Sequence, residues 1–121
     1  MTRLLLAVAL AATSSVATGQ TVKVTLTEFK LTLSADTVAA GPVTFAVTNA
    51  GTMNHGIYVK GSGANKGTPD VAPGSAATLK LTLKPGTYDV YCPLSDGSHR
   101  MAGMEHKLVV RDAAPPPKKK P

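Results

Sequence analysis

The sequence of 121 residues has a single cysteine, no tryptophan, three tyrosines and two phenylalanines. One cysteine cannot form an intramolecular disulfide, so the fold has to be held together without one. The few aromatic residues are not interleaved with a basic patch, which argues against nucleic acid as a partner. No paired acid and base and no Ser-His-Asp set indicates hydrolysis, and we expect the protein not to be an enzyme.

The sequence also has no apolar run long enough to span a bilayer, which takes about 20 residues. The run at residues 4–12 follows Arg3 and precedes the small-residue sequence Ala17-Thr18-Gly19, a pattern typical of a secretory signal peptide. We therefore predict a signal peptide at residues 1–19. The mature protein is then expected in the periplasm or secreted, with no transmembrane segment.

A chain of this length can enclose one modest hydrophobic core, so we predict one domain, at residues 20–112. Residues 113–121, AAPPPKKKP, are predicted to be a disordered tail, because they are too rich in proline and lysine to join a sheet. The formal net charge of +6 favours acidic protein partners or anionic membrane surfaces, and a redox protein that is acidic is the expected partner. We expect the protein to be a monomer.

Apolar and polar residues alternate with a period of two through most of the predicted domain, and no stretch has a helical pattern. Turn residues recur about every 8 to 12 positions, which is typical of an all-β sandwich or barrel of antiparallel strands. The alternating stretches are residues 21–33, 43–49, 57–60, 76–83, 87–92 and 107–110. Residues 35–40 are predicted to be a connection and residues 61–75 an irregular loop.

The first alternating stretch changes phase once, near Thr27-Glu28. Before this point the even-numbered residues are apolar, and after it the odd-numbered residues Phe29, Leu31 and Leu33 are. A slip of one residue turns every side chain of a strand to the other face. The phase change therefore predicts either a β-bulge or a break into two short strands, with Phe29 on the buried face.

The stretch at residues 91–107, YCPLSDGSHRMAGMEHK, is rich in metal-binding side chains. It contains the cysteine, two of the three histidines and two of the four methionines of the chain, namely Cys92, His99, Met101, Met104 and His106. Thiolate, imidazole and thioether ligands suit copper better than a hard cation, which prefers oxygen. The remaining histidine, His55, lies at the start of another predicted strand. If the two strands are neighbours, His55 could lie beside residues 91–107.

Each of these residues, taken alone, is more often structural than ligating. An unpaired thiol in an oxidising compartment can form an intermolecular disulfide, can be buried and inert, or can be held as a metal thiolate. A histidine near a turn is most often a surface residue. The argument for a metal site depends on the whole set occurring together.

Cys92-Pro93, His99-Arg100 and Ala102-Gly103-Met104, which follow the strand TYDVY, resemble the ligand loop of the blue copper proteins, or cupredoxins. The similarity is greatest to the plastocyanin-like and sulfocyanin-like members, and residues 35–59 resemble the segment that carries the first histidine ligand. The resemblance implies a Greek-key β-sandwich of about seven to eight strands. It also implies one copper ion bound by His55, Cys92 and His99, with Met104 as the axial ligand.

The sequence departs from the family pattern between Cys92 and His99. Residues 93–98 separate them, where many members have four or two residues, and the surplus is predicted to form a tight turn at residues 95–98. The family spacing favours Met104 over Met101. His106 is expected to be structural or exposed, and Met53 is expected to contribute to an apolar docking collar.

The resemblance implies an exported electron-transfer protein that cycles between Cu(I) and Cu(II) and exchanges electrons with a redox partner through the edge of His99. An alternative is a protein that stores or delivers copper without electron transfer. A further alternative is a sandwich without metal that serves adhesion or assembly. Three histidines and one cysteine cannot furnish a second catalytic copper cluster or a binuclear electron-entry centre.

Overall fold

Two β-sheets make up the part of the chain that the computed structural model describes, residues 19–112. These residues form nine strands, a 3₁₀ turn at Ser95–Gly97 and one short helix. The strands and the helix are β1 (Gln20–Thr27), β2 (Lys30–Leu33), β3 (Thr37–Ala39), β4 (Gly41–Asn49), β5 (Tyr58–Gly61), β6 (Ala64–Gly67), β7 (Ala76–Leu83), β8 (Gly86–Tyr91), β9 (Glu105–Arg111) and α1 (Ser98–Met101).

One sheet has four strands in the order β2-β1-β4-β7, and the other has five in the order β3-β9-β8-β5-β6. The predicted all-β sandwich is confirmed. Its sheets are mixed rather than purely antiparallel, because β1 pairs with β4 and β3 pairs with β9 in parallel. Nine strands form instead of seven or eight, because β3 and β6 lie in segments that were predicted to be a connection and a loop.

The predicted break near Thr27-Glu28 is a hairpin between β1 and β2. Thr27 pairs with Lys30, so Glu28 and Phe29 form a two-residue turn. Phe29 has a φ of 63°, a left-handed conformation that costs a residue with a side chain about 1 kcal/mol. The prediction that Phe29 is buried is wrong: a residue at the tip of the turn points away from both sheets, and Phe29 is 58% exposed.

The core lies between the sheets, where the inward-facing residues of both are buried. The alternation in β1 and β4 produces this directly, because every second residue faces inward. The buried hydrophobic residues of β1, β4, β8 and β9 are Val22, Val24, Leu26, Val43, Phe45, Val47, Tyr88, Val90, Leu108 and Val110.

Tyr88 fixes the end of the sandwich where the β7–β8 turn lies. Its ring is buried, and its hydroxyl donates to the carbonyl of Lys84 at 2.7 Å and lies 3.1 Å from the carbonyl oxygen of Ser62. The hydroxyl also accepts the backbone N–H of Lys84 at 3.1 Å. The Tyr88 hydroxyl therefore has hydrogen-bond partners although it lies at the closed end of the sandwich.

The predicted signal peptide and the predicted tail lie outside the described residues, except for Gly19. Within residues 19–112 no helix has the length and apolar character needed to cross a bilayer.

Candidate metal centre

The strand register brings three separate segments together at one end of the five-stranded sheet. Tyr91, the last residue of β8, pairs with Tyr58 at the start of β5 and with Glu105 at the start of β9. The residues just outside these strands are Cys92 after β8 and Met104 before β9. They are linked by a hydrogen bond from the Cys92 N–H to the Met104 carbonyl at 3.0 Å.

His55, Cys92 and His99 meet at this end, with one nitrogen or sulfur of each lying within 4.8 Å of the others. The distance from Cys92 Sγ to His99 Nδ1 is 3.6 Å, and the two imidazole rings meet edge to face with centroids 5.2 Å apart. All three side chains are buried, with His99 the most exposed at 7%. They are positioned to hold a metal ion, and two imidazoles with a thiolate are a donor set that suits copper.

The hydrogen bonding of His55 fits a metal ligand. Its Nε2 lies 3.3 Å from Glu28 Oε1, and because a carboxylate only accepts, Nε2 carries the proton. Nδ1 is then a lone-pair acceptor, and it is buried without a hydrogen-bond partner among the described residues. An unpaired buried acceptor costs about 1–3 kcal/mol, and a bound metal ion would remove this penalty.

Two sets of main-chain and side-chain bonds hold the segment that carries His55. His55 and Val71 exchange backbone hydrogen bonds at 3.1 and 2.7 Å, forming an isolated bridge. The fully buried amide of Asn49 donates to the carbonyls of Met53 at 2.7 Å and Val71 at 2.8 Å, and it accepts the N–H of Gly51 at 2.9 Å. The backbone around His55 is therefore fixed without the metal.

Glu28 supports the same segment from the β1–β2 turn. Its Oε1 accepts the backbone N–H groups of Thr52 at 2.5 Å and Met53 at 3.1 Å, in addition to the His55 ring. The N–H of Thr52 is the main reason that the pKa of Glu28 falls to about 2. Glu28 is therefore a carboxylate at neutral pH.

The long spacing between Cys92 and His99 is taken up by helical turns. The 3₁₀ turn at Ser95–Gly97 leads through Gly97, with a φ of 85°, into α1. This differs from the predicted single tight turn and from the expectation of no helix, because the surplus residues coil instead of extending the loop. The coil turns His99 inward, where its Nε2 lies 3.4 Å from Ser95 Oγ.

Arg100, the residue after His99, ties this coil to the sheet. Its guanidinium lies 4.0 Å from the centroid of the Tyr91 ring, a cation–π contact. Its Nη2 is 2.9 Å from Glu105 Oε1 and 3.9 Å from Asp89 Oδ2. The coil is thus attached to both strands that frame the site.

The other candidate ligands from the sequence differ clearly in burial and in position. Met104 is fully buried and its N–H donates to the His99 carbonyl at 3.1 Å, whereas Met101 is 89% exposed. His106 lies within β9, opposite Val90, and is not part of the cluster of donor atoms. Met53 is 44% exposed.

An open cavity of about 340 Å³ lies over His99. Its lining residues are Met53, Asn54, Asp70, Leu94, Ser95 and His99. The edge of His99 through which electrons are expected to pass is therefore recessed, because the residue is 7% exposed and forms part of the lining of this cavity.

Sequence reasoning missed Glu28, Asn49 and Arg100 as supports of the site. The phase change at Thr27-Glu28 indicated a turn but not what the turn contacts. The alternating stretch at residues 43–49 indicates only that Asn49 ends a strand. Its full burial as a polar residue beside the apolar positions of β4 is the signal that marks its role.

Comparisons with known proteins agree with the fold and the donor set. The sequence profile of the cupredoxin-like domain matches residues 1–110. No curated protein matches the chain closely enough to be called a relative.

Solved structures with a similar fold include an auracyanin from the photosynthetic bacterium Roseiflexus castenholzii, at 18% identity and a TM-score of 0.64. That alignment covers 76% of this chain and 97% of the auracyanin. A blue copper oxidase from Nitrosomonas europaea is 24% identical with a TM-score of 0.57, covering 82% of this chain and 40% of the oxidase. A copper-containing nitrite reductase from Thermus scotoductus is 18% identical with a TM-score of 0.55, covering 80% of this chain and 28% of the reductase.

At these identities the solved structures show a common fold alone. The family is shown by the sequence profile, which extends over most of the chain and confirms the resemblance seen in its ligand loop. The chain belongs to the cupredoxin-like domain family, and copper is its metal cofactor.

Proposed function

We propose that the protein is a type 1 (blue) copper electron carrier, in which His55, Cys92 and His99 would hold one copper ion and Met104 would supply a fourth ligand. The observation that carries this proposal is that buried His55, Cys92 and His99 each place a donor atom within 4.8 Å of the other two. In addition, His55 Nδ1 is buried with no hydrogen-bond partner within residues 19–112. Met104 is the buried methionine of the loop, and its backbone is bonded to both Cys92 and His99.

Two imidazoles and a thiolate suit both Cu(I) and Cu(II), so copper held by them can gain and lose one electron without a change of ligands. The contribution of the protein is to keep that set fixed. His55 is fixed by Val71 and Glu28, and Cys92 is fixed by its hydrogen bond to Met104. Burial of the cluster also keeps bulk water away from the thiolate.

Electrons would pass through His99, whose ring forms part of the cavity wall. The exposed side chains of Met53 and Met101 offer apolar contact to a docking protein, with Met53 lining the cavity and Met101 ending α1. The net charge of +6 would attract an acidic partner and speed its encounter. We therefore propose an acidic redox protein as partner.

We propose a carrier and not an oxidase or reductase, because this chain offers ligands for one centre. Two of its three histidines are in the cluster and His106 lies in β9. The chain spans only 40% of the blue copper oxidase and 28% of the nitrite reductase that share its fold. What those longer proteins do is therefore not transferred to this chain.

Copper loading tests the proposal. Titration with Cu(II) should give an intense blue or green absorption and the electron paramagnetic spectrum of a thiolate-bound copper ion, both lost in Cys92→Ser. Met101→Leu is the matched control, because Met101 is 89% exposed, and it should keep both spectra. A colourless protein that binds no copper would refute the proposal.

Copper storage or delivery is separated from electron transfer by kinetics. An electron carrier retains its copper through repeated cycles of reduction and oxidation, whereas a delivery protein releases Cu(I) to an acceptor within the same time.

We also propose export to the periplasm or the medium, on the signal-peptide pattern at residues 1–19. N-terminal sequencing of the protein from a cell fraction should find Gln20 as the first residue.

A further inference from the structure

The turn between β1 and β2 contacts two of the segments that carry proposed ligands. Glu28 accepts from the backbone of Thr52 and Met53 and from the His55 ring. The carbonyl of Phe29 lies against Gly103, where an added Cβ would be only 2.9 Å from that oxygen. The turn thus joins the His55 segment to the residue before Met104.

The contact between Glu28 and His55 is built into the fold. Gly51 leaves room for the carboxylate, since a Cβ there would lie 2.3 Å from Glu28 Oε1. His55 itself is 1% exposed, while the side chain of Glu28 is 30% exposed. Glu28 therefore reaches from the surface to a buried ring, at a site where Gly51 has no side chain to obstruct it.

The bond to Glu28 decides which nitrogen of His55 is free. A neutral imidazole carries one proton, and a carboxylate at Nε2 holds that proton there. Nδ1 then keeps its lone pair, and it is buried with no hydrogen-bond partner in the described part of the chain, in a residue that clusters with Cys92 and His99. Partners of this kind orient metal-binding histidines and raise the basicity of the ligand.

We propose that Glu28 is a positioning residue for the metal centre: it holds His55 in the Nε2–H tautomer, orients its ring, and favours the more highly charged Cu(II) state over Cu(I). The inference rests on the proposed function for its copper-dependent part. The tautomer is a property of the protein without copper, so that part stands or fails by itself.

A purely structural role for Glu28 makes a different prediction. Glutamine at this position keeps the shape and an oxygen that can accept from Thr52 and Met53, but it loses the charge. If Glu28 only braces the turn, Glu28→Gln should resemble the unchanged protein. If Glu28 positions His55, the amide should hold the tautomer less firmly, because its neutral oxygen accepts from Nε2 more weakly than a carboxylate oxygen does, and its NH₂ group can donate to Nε2 when the amide turns round.

The first measurement is the ¹⁵N spectrum of the His55 ring in the copper-free full chain. We expect the Nε2–H tautomer in the unchanged protein and a mixture in Glu28→Gln. Gly51→Ala provides a second route, because its methyl group would displace the carboxylate without altering its charge. Asp36→Asn is the control, since it removes the same charge from an exposed side chain in the connection before β3.

The second measurement is copper affinity and reduction potential. Loss of such a partner weakens metal binding about 10–100-fold. We expect the loss in Glu28→Gln to be greater for Cu(II) than for Cu(I), and each tenfold difference raises the reduction potential by about 59 mV. Asp36→Asn should leave affinity and potential near their original values.

An unchanged tautomer in Glu28→Gln and in Gly51→Ala would overturn the proposal. So would a potential in Glu28→Gln that matches that of Asp36→Asn. If the unchanged protein bound no copper, the proposed function would fail. The ring spectra would then still decide whether Glu28 positions His55.

Discussion

Replacing Asn49 by alanine should destabilise the copper-free protein by about 3 kcal/mol. The fully buried amide makes three hydrogen bonds, at 2.7, 2.8 and 2.9 Å, and each contributes about 1 kcal/mol. Folded domains have a free energy of unfolding of about 5–15 kcal/mol, so this loss is a large fraction. For a domain of this size it lowers the melting temperature by roughly 15 °C.

Denaturant unfolding of the copper-free protein measures this effect, with an unchanged dependence on denaturant as the check for two-state behaviour. Asn54→Ala is the matched control, because Asn54 is exposed in the same segment and should change stability by no more than about 0.5 kcal/mol. Asn49→Asp should be at least as damaging as Asn49→Ala, since a carboxylate would face the carbonyls of Met53 and Val71. A loss below about 1 kcal/mol in Asn49→Ala would refute the reasoning.

Three further predictions concern the loop and the turn. Gly103→Ala should lower the free energy of unfolding, measured with denaturant, more than Gly74→Ala does. Both glycines have positive φ, but only Gly103 is packed against a backbone oxygen. Equal decreases in the two variants would contradict this. Met104→Leu should shift the reduction potential and the absorption spectrum of the copper-loaded protein, whereas Met101→Leu should change neither, since only Met104 is buried. The pKa of Glu28 falls to about 2, so its ionised form stabilises the fold above its unfolded pKa of about 4.3, and this contribution is lost as the pH falls towards 2. The stability difference between the unchanged protein and Glu28→Gln should therefore narrow over that pH range, and a constant difference would exclude the ionised carboxylate as its cause.

The sequence predicts the strands whose alternation is long enough to mark a buried face. β1 and β4 have three buried apolar residues each in strict alternation, and both strands were expected. β3 and β6 were missed because each has one buried residue, Val38 and Ala64, and forms by pairing with a neighbour. Pairing of this kind depends on the partner strand and leaves almost no periodic pattern.

The side chains of the donor cluster could be predicted from residue chemistry, but the residues that support them could not. Cys92, His99 and His55 are conspicuous because the chain has so few cysteines and histidines. The contact between Glu28 and His55 joins residues 27 positions apart, and it forms only because the hairpin folds over the end of the sandwich. A glutamate in a turn looks like any solvated surface residue until the fold is known.

The hydrogen bond between Cys92 and Met104 closes the base of the ligand loop independently of what lies between them. Closure entropy grows only slowly with length, so two additional residues in a loop of this size cost about 0.2 kcal/mol. The pairing of β8 with β9 ends at Tyr91 and Glu105, so it includes no residue of the intervening segment. The sandwich can therefore accommodate loops of different length between Cys92 and Met104. The surroundings of His99 can change during evolution while the strands and the core stay the same.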